Sequence, residues 1–262
     1  MKKDKKVFGT KEWAKFSANF IDGCSNNCRY CYARENSKTK KNDWQNETID
    51  EKLFEKVWNK KEGTIMFPTR HDITLKNIDK IIIYLKRMLK NGNKVLIVSK
   101  PNFECIRKLT EELNDFKDKI LFRFTIGSNN NEILKFWEPN APLYEERKKS
   151  LKLAFEKGFY TSVSAEPLLD LENVDILIND LKPFITDSLW IGKMNSPEKR
   201  IDYSILNENE KLFINKYLKI LNNDETIKNI YNTYKNNTLI KWKESVKEIV
   251  GIELSKVAGE DI

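Results

Sequence analysis

GCSNNCRYCY, residues 23–32, contains three of the four cysteines of this 262-residue chain, at the spacing C-x3-C-x2-C. Three thiols this close cannot all pair with one another, which argues against a disulfide framework. Structural zinc usually takes a fourth Cys or His from a second closely spaced pair, and neither Cys105 nor the single histidine, His71, belongs to such a pair. A [4Fe–4S] cluster held by three thiolates keeps one iron open for another ligand. The residues alone leave three interpretations open: an iron–sulfur cluster, a zinc knuckle, or a reduced loop in which cysteine recurs.

The loop resembles the cluster motif C-x3-C-x-aromatic-C of the radical S-adenosylmethionine (SAM) superfamily, with Tyr30 at the aromatic position. The resemblance implies that Cys24, Cys28 and Cys31 bind a [4Fe–4S] cluster whose open iron is chelated by the amino and carboxylate groups of SAM. It also implies that the reduced cluster cleaves SAM to a 5′-deoxyadenosyl radical, with a reductant such as flavodoxin or ferredoxin as the electron donor. We therefore predict a radical SAM enzyme.

Length and composition fit one large α/β domain. No stretch approaches 18 uninterrupted apolar residues, and the first six residues lack the apolar segment of a signal peptide, so we expect a cytoplasmic protein with no membrane partner. The net charge of +8 is compatible with a nucleic-acid partner. Lys exceeds Arg 39 to 8, however, and Asn reaches 28, a composition that an AT-rich genome produces without selection for function. The charge alone does not identify the substrate.

Alternating apolar runs and amphipathic segments predict six strands with crossover helices, and hence a parallel sheet. The predicted strands are residues 12–21, 64–67, 95–98, 120–126, 159–165 and 189–192. The predicted helices between them are residues 48–58, 77–90, 103–113, 144–156 and 174–181. Six such units match the open (β/α)6 partial barrel that the resemblance implies. We expect this barrel over residues 1–200 and a mainly helical C-terminal extension over 201–262, packed on the same domain, with a short extended piece at 239–242.

In a parallel sheet the functional side chains gather just past the strands. A narrower resemblance, to the spore photoproduct lyase branch of the superfamily, is carried by residues 97–100, 121–128, 136–139 and 154–159. In that branch the lysine that ends the third strand and a hydroxyl residue in the fourth contact the SAM carboxylate, which implies these roles for Lys100 and Thr125. The same rim carries further expected cofactor contacts at Tyr30, Ser128 and Glu166, and Glu166 could instead accept hydrogen bonds from the substrate.

One departure from that branch concerns its hydrogen-donating cysteine, which precedes an Asp-Ile pair. Alignment of that pair with Asp72-Ile73 places Thr69 at the donor position, which argues against the branch's own repair reaction. Cys105 is expected to be a buried, small apolar residue. Arg70 and His71 are candidate catalytic residues beside Glu166, and the alternative for this loop is turn chemistry in which Asp72 caps the next helix.

Three functions remain open at this point. The first is radical modification of a nucleic acid or nucleotide-like substrate, and the second is the same chemistry on a small molecule or peptide. The third is a non-enzymatic iron–sulfur or zinc protein. Lys100 and Thr125 argue against the third, because an electron carrier does not need to bind an amino acid.

Overall fold

The computed structural model describes residues 7–35, 37, 43–221 and 223–260. Its strands, in chain order, are β1 (Phe16–Ser17), β2 (Ile21–Asp22), β3 (Thr48–Ile49), β4 (Thr64–Phe67), β5 (Lys94–Ser99), β6 (Ile120–Thr125), β7 (Tyr160–Ala165), β8 (Leu189–Ile191) and β9 (Ile240–Trp242). Its α-helices are α1 (Tyr32–Glu35), α2 (Glu51–Phe54), α3 (Ile78–Lys90), α4 (Phe103–Glu112), α5 (Asn131–Trp137), α6 (Tyr144–Glu156), α7 (Val174–Leu181), α8 (Pro197–Arg200), α9 (Glu208–Leu221), α10 (Asp224–Tyr234) and α11 (Glu244–Val250).

Seven strands form one sheet in the order β1-β4-β5-β6-β7-β8-β9, and every neighbouring pair is parallel. The register sets Ser99 beside Phe124, Thr125 beside Ser164 and Ala165 beside Ile191. The carboxyl ends of the strands therefore meet along one edge. This confirms the predicted α/β partial barrel. β9 lies in the short extended piece predicted at 239–242 and adds a seventh strand to the six predicted ones.

Local sequence signals account for the main helices. The side chains of α3 that point inward follow the three- and four-residue spacing of an amphipathic helix, and they are buried: Ile78, Ile81, Ile82, Leu85, Met88 and Leu89. The Asn102 side chain accepts the backbone N–H of Cys105 at 3.1 Å and so caps α4. The structure also contains α5, which the sequence analysis did not predict.

Two predicted elements were wrong. Residues 12–21 are not one strand, because the chain leaves the large sheet after β1 and forms β2, which pairs antiparallel with β3. Between them the Asn19 side chain accepts the backbone N–H groups of Thr69 and Arg70 at 2.8 and 3.2 Å. Residues 48–58 are not one helix either. Thr48 belongs to β3, and Asp50 rather than Thr48 caps the short helix α2 by accepting the Leu53 N–H at 3.0 Å.

The ends of the described chain lie together beside the sheet. β9 pairs with β8, and the backbone N–H of Val7 donates to Ser255 at 3.0 Å. The Gly259 N–H donates to the Lys11 carbonyl at 2.8 Å. The tail therefore contributes a strand and backbone hydrogen bonds to the barrel, while the proposed division at residue 200 stays a prediction. No described helix combines the length and hydropathy that a membrane span requires.

Candidate active site

A cavity of about 480 Å³ opens at the carboxyl ends of the strands. It is lined by side chains that follow five of the parallel strands: Thr69, Lys100, Glu166, Lys193 and Glu244. The three clustered cysteines line the same cavity, and so do Tyr30, Arg70, His71 and Thr125. The fold thus brings all but one of the predicted site residues to one place. Ser128 is the exception, because it does not line the cavity and its hydroxyl accepts the backbone N–H of Asn130 at 2.9 Å.

The cysteine loop is held against the chain around Trp44. Gly23 has φ +95°, and a Cβ there would lie 2.6 Å from the Asn46 carbonyl oxygen and 2.9 Å from that of Trp44. The Cys24 N–H donates to the same Trp44 carbonyl at 2.8 Å. Only glycine tolerates both this backbone angle and this close approach. Gly23 therefore fixes the direction in which the loop enters the cavity.

The three thiols of the loop are all free. Cys24 and Cys28 are buried, and Cys31 is half-buried. Burial raises the pKa of Cys24 to about 12, with the Asp72 carboxylate acting in the same direction, and it raises the pKa of Cys28 well above its ordinary value. Cys24 and Cys28 are therefore protonated thiols, and a metal that binds them must displace their protons.

Lys100 and Asp72 form the central ion pair of the site. The Asp72 carboxylate accepts the Lys100 backbone N–H at 2.7 Å, the Ser99 hydroxyl at 2.9 Å and the Asn26 side-chain amide at 2.9 Å. Its second oxygen lies 3.5 Å from Lys100 Nζ. Burial would raise the pKa of Asp72, but Lys100 and these donors outweigh it and the pKa is lowered. Asp72 therefore joins β5 to the cysteine loop, while Asn77 precedes α3 and Asp72 does not cap it.

Tyr30 sits above a second, fully buried ion pair. Its hydroxyl donates to the Glu138 carboxylate, whose other oxygen lies 2.5 Å from Arg147 Nη2. Lys100 Nζ lies 4.0 Å from Glu138 and 5.7 Å from the centre of the Tyr30 ring. Burial would lower the pKa of Lys100, but Asp72 and the other surrounding groups raise it well above its ordinary value. Lys100 is thus a permanent cation on the cavity wall.

The loop after β4 carries the candidates Arg70 and His71. Arg70 pairs with Asp22 at 2.8 Å, and the side chains of Arg70 and Asp22 are 36% and 25% exposed. His71 is buried, its Nδ1 lies 3.0 Å from the Asp72 carbonyl oxygen, and burial lowers its pKa. Its Nε2 has no hydrogen-bond partner among the described residues. Thr69 also lines the cavity, and its carbonyl accepts the Tyr32 hydroxyl.

Several cavity residues escaped the sequence analysis. Ser164 stands beside Thr125 on β7, and its fully buried hydroxyl has no hydrogen-bond partner in the described part of the chain. Arg200 ends α8 and is the last residue of the predicted barrel, and Glu244 opens α11 in the predicted extension. The only sequence signal for Ser164 was the alternation of side chains between the two faces of a strand, which puts Ser164 on the same face of the sheet as Thr125. Arg200 and Glu244 had no local signal, because their place depends on how the tail folds back.

Comparison with known proteins decides the family. The family model described as the radical SAM superfamily matches residues 18–181, which run from Ala18, directly after β1, to the end of α7 and include four strands of the sheet, β4 to β7. This chain belongs to the radical SAM superfamily. It is therefore an enzyme of SAM-dependent radical chemistry, a class that uses SAM, an iron–sulfur cluster and an electron donor.

Individual relatives of this radical SAM protein are distant. An uncharacterised protein of Methanocaldococcus jannaschii is 29% identical over 185 residues, which cover 65% of this chain and 67% of that protein. A spore photoproduct lyase variant with dinucleoside spore photoproduct aligns at TM-score 0.56 and 12% identity, covering 92% of this chain and 79% of the other. A second variant of that lyase aligns at TM-score 0.56 and 15% identity, covering 80% and 67%. At these identities the structural likeness establishes the fold alone.

The cavity residues fit the two cofactors that the superfamily implies. Three free thiols from one loop face the cavity, and no three Cys, His, Asp or Glu side chains among the described residues surround one point as the ligands of a single metal ion do. In an iron–sulfur cluster each thiolate binds a different iron, so the three thiols need not surround a single point. A ligand carboxylate in the same cavity would find a cation in Lys100 and a polar group in the Ser164 hydroxyl, which has no hydrogen-bond partner among the described residues.

Proposed function

We propose that Cys24, Cys28 and Cys31 hold a [4Fe–4S] cluster and that the chain binds SAM beside it for reductive cleavage. The observation that carries this proposal is that the three thiols line one cavity together with Lys100, at the carboxyl ends of parallel strands. Charged cofactors bind at that edge in parallel α/β folds. Cys105 is fully buried on α4 and does not line the cavity, so the cluster has its three ligands from the loop alone.

The residues around the cavity would bind and orient SAM. Lys100 supplies the positive charge for the methionine carboxylate, with Thr125 and Ser164 as neighbouring hydroxyls. Glu166 supplies a carboxylate that can accept hydrogen bonds from ribose hydroxyls or substrate. When bound, cluster and SAM supply one-electron cleavage of a sulfonium C–S bond, giving methionine and a 5′-deoxyadenosyl radical that takes a hydrogen atom from substrate. The electron comes from an external reductant such as flavodoxin or ferredoxin.

The proposed substrate is a nucleic acid or a nucleotide-like molecule. Lys193 and Arg200 line the cavity, and in the described part of the chain no carboxylate lies within 4.0 Å of either cationic group. Burial lowers the pKa of Arg200, and Glu166 is the largest opposing influence. A phosphate placed between these two side chains would compensate both charges. This observation supports an anionic substrate more directly than the net charge of +8 does.

A small molecule or peptide is the second candidate. The cavity volume of about 480 Å³ lies within the range that small-molecule sites usually show, roughly 300–1,000 Å³. SAM would fill part of that volume. A nucleic acid would therefore have to present one nucleotide at a time, as enzymes that act on a base commonly require.

Reductive cleavage tests the function. The anaerobically reconstituted protein, given SAM and dithionite, should release 5′-deoxyadenosine, and the variant Cys28→Ala should not. Cys105→Ala is the matched control, because it removes a buried cysteine that does not line the cavity. Absence of 5′-deoxyadenosine from the reconstituted wild type, or an equal loss in the Cys105 variant, would contradict the proposal.

Isotope transfer tests the substrate class. Candidate fractions prepared from cells grown in deuterated medium should transfer deuterium into 5′-deoxyadenosine when the fraction contains DNA or RNA. Lys193→Ala and Arg200→Ala should weaken binding of a short oligonucleotide, whereas Lys149→Ala, an exposed lysine of α6, should not. Deuterium transfer from a small-molecule or peptide fraction alone would replace the first candidate by the second.

A further inference from the structure

The residue that follows β9 places a buried cation next to the cavity. The Lys243 side chain is fully buried, and its Nζ donates to the Gly9 carbonyl at 2.8 Å. The ammonium also pairs with the Glu12 carboxylate, lies 3.3 Å from Glu244 and lies 3.7 Å from Glu166. Glu166 and Glu244 line the cavity, whereas Lys243 does not. Lys243 thus lies behind the wall that these two carboxylates form.

The chain is shaped to admit this lysine. A Cβ on Gly192 would lie 2.9 Å from Cβ and Cγ of Lys243 and 3.0 Å from Cγ of Glu166. Gly192 follows β8, the strand between the one that precedes Glu166 and the one that precedes Lys243. Any larger residue would push the lysine and the carboxylate apart. On its other side the ammonium lies 4.4 Å from the centre of the Trp13 ring.

The charges around Lys243 do not cancel. One ammonium faces three carboxylates, and burial raises the pKa of Glu12 to about 8, with the neighbouring Glu244 acting in the same direction. Glu12 therefore retains a proton at neutral pH, which leaves Glu166 and Glu244 to balance one positive charge. Burial also raises the pKa of Glu166, and Lys243 is the largest opposing influence. Glu244 also raises the pKa of Glu166 and Arg200 lowers it, while Glu166 itself raises the pKa of the nearby Tyr32.

We propose that Lys243 is a positioning residue that holds the Glu166 carboxylate in its charged form at the cavity wall. The inference rests on the proposed function, because SAM and 5′-deoxyadenosine are the ligands whose binding would report on Glu166. It assigns a role in the site to a residue outside the matched family region of 18–181. The cation comes from the tail, it reaches the site past Gly192, and its contact with Glu12 joins the start of the described chain to the same cluster.

The test is the pH dependence of SAM binding to cluster-loaded protein, measured by equilibrium dialysis between pH 5.5 and 9. In Lys243→Met the pKa of Glu166 should rise further, so the loss of affinity with falling pH should begin about one pH unit or more higher than in the wild type. At a pH in this range of falling affinity (the acid limb of the profile), the variant should bind SAM about tenfold more weakly than the wild type. Near pH 9 the two proteins should converge. Glu166→Gln should remove this limb, and Lys241→Met, two residues earlier on β9, should follow the wild type.

Gly192→Ala is a second variant that tests the same contact if Lys243→Met does not fold. It keeps every charge but separates Lys243 from Glu166, so it should shift the limb in the same direction, and Lys243→Arg should restore part of the wild-type profile. Profiles that coincide with the wild type, or a loss of affinity equal at every pH, would overturn the inference. If the wild type itself bound no SAM, the proposed function would fail and the inference with it. A wild type that binds SAM but shows no shift in the variants would overturn the role of Lys243 alone.

Discussion

The fold secures the charge of Lys100 from two sides. Asp72 accepts the backbone N–H of Lys100 and pairs with its ammonium. Glu138, the residue after α5, lies near the same ammonium. Both carboxylates lie at 3.5 Å or more from Nζ, which is longer than a direct charge-assisted hydrogen bond. Lys100 is therefore held in place by its neighbours and still able to bind a further anion.

Lys100→Met should weaken SAM binding by about 2–5 kcal/mol, because a carboxylate in a partly desolvated site loses its charge partner. Lys94→Met is the matched control, since Lys94 is an exposed lysine at the start of the same strand, β5. Equilibrium dialysis with SAM measures both. Equal affinity in wild type and the Lys100 variant would show that the carboxylate binds elsewhere in the cavity.

The buried pair of Glu138 and Arg147 should affect stability more than binding. Both side chains are fully buried, so Glu138→Gln leaves an uncompensated guanidinium and should lower the free energy of unfolding by about 3–5 kcal/mol. The exposed pair of Arg107 and Glu111 provides the comparison, because solvent screens it and breaking it with Glu111→Gln should lower the free energy of unfolding much less. Urea denaturation followed by circular dichroism measures both variants, and equal losses would contradict the distinction.

At the scale of elements, the cysteine loop depends on a turn whose backbone no other residue tolerates. Gly23 combines a positive φ with two carbonyl oxygens in the space of a Cβ, whereas Gly251 has a positive φ of +76° and open space. The two positions separate the effect of backbone angle from the effect of crowding. Crowding is the effect that bears on the loop, because the carbonyl oxygens of Trp44 and Asn46 leave no space for a Cβ at residue 23.

Gly23→Ala should reduce the iron bound after anaerobic reconstitution, because the new methyl group displaces the start of the cysteine loop. Gly251→Ala should cost about 1 kcal/mol of stability through its backbone angle and leave the iron content unchanged. Iron analysis and thermal melting measure both variants. Full iron content in the Gly23 variant would show that the loop adapts without losing its ligands.

The elements that the sequence predicts well are those with their own periodic signal. α3 and β5 follow from the spacing of buried side chains within one segment. The failures lie where a distant partner decides. The Asn19 side chain accepts backbone N–H groups of the loop after β4, and this interrupts the strand predicted at 12–21. Thr48 pairs with β2 as part of β3, so it does not belong to the helix predicted at 48–58. The residues that pair with Asn19 and with Thr48 lie far from them in the sequence, so the local sequence around Asn19 or Thr48 does not reveal these contacts.

At the scale of the whole molecule, the two ends of the described chain meet at the site. Lys243 and Gly9 are 234 positions apart and joined by a hydrogen bond of 2.8 Å. The cysteines, Lys100 and Thr125 could be predicted because each belongs to a local motif or strand end that a known family shares. Lys243, Glu244 and Glu12 could not, since their roles depend on a closure of the chain that no local pattern encodes.

This closure should make stability depend on pH through Glu12. Its pKa of about 8 exceeds the ordinary value of 4.5, so the folded state binds the proton more tightly than the unfolded state. The resulting stabilisation is present below about pH 4.5 and is lost as pH rises through about 8. Glu12→Gln should remove this loss, so the variant should gain stability relative to wild type as pH rises from about 4.5 to about 8, with no further gain above that. Urea titrations at several pH values measure it, and a constant difference between the two proteins would contradict the assignment.

The central claim is that three cysteines hold a cluster with an iron left open for SAM. Mössbauer spectroscopy of protein reconstituted anaerobically with ⁵⁷Fe tests it most directly, because it counts the irons and reports the surroundings of each. We predict about four irons per chain, with about one quarter of the signal shifted when SAM is added. Stoichiometric zinc in protein purified without oxygen, or a four-iron spectrum that SAM leaves unchanged, would contradict the claim.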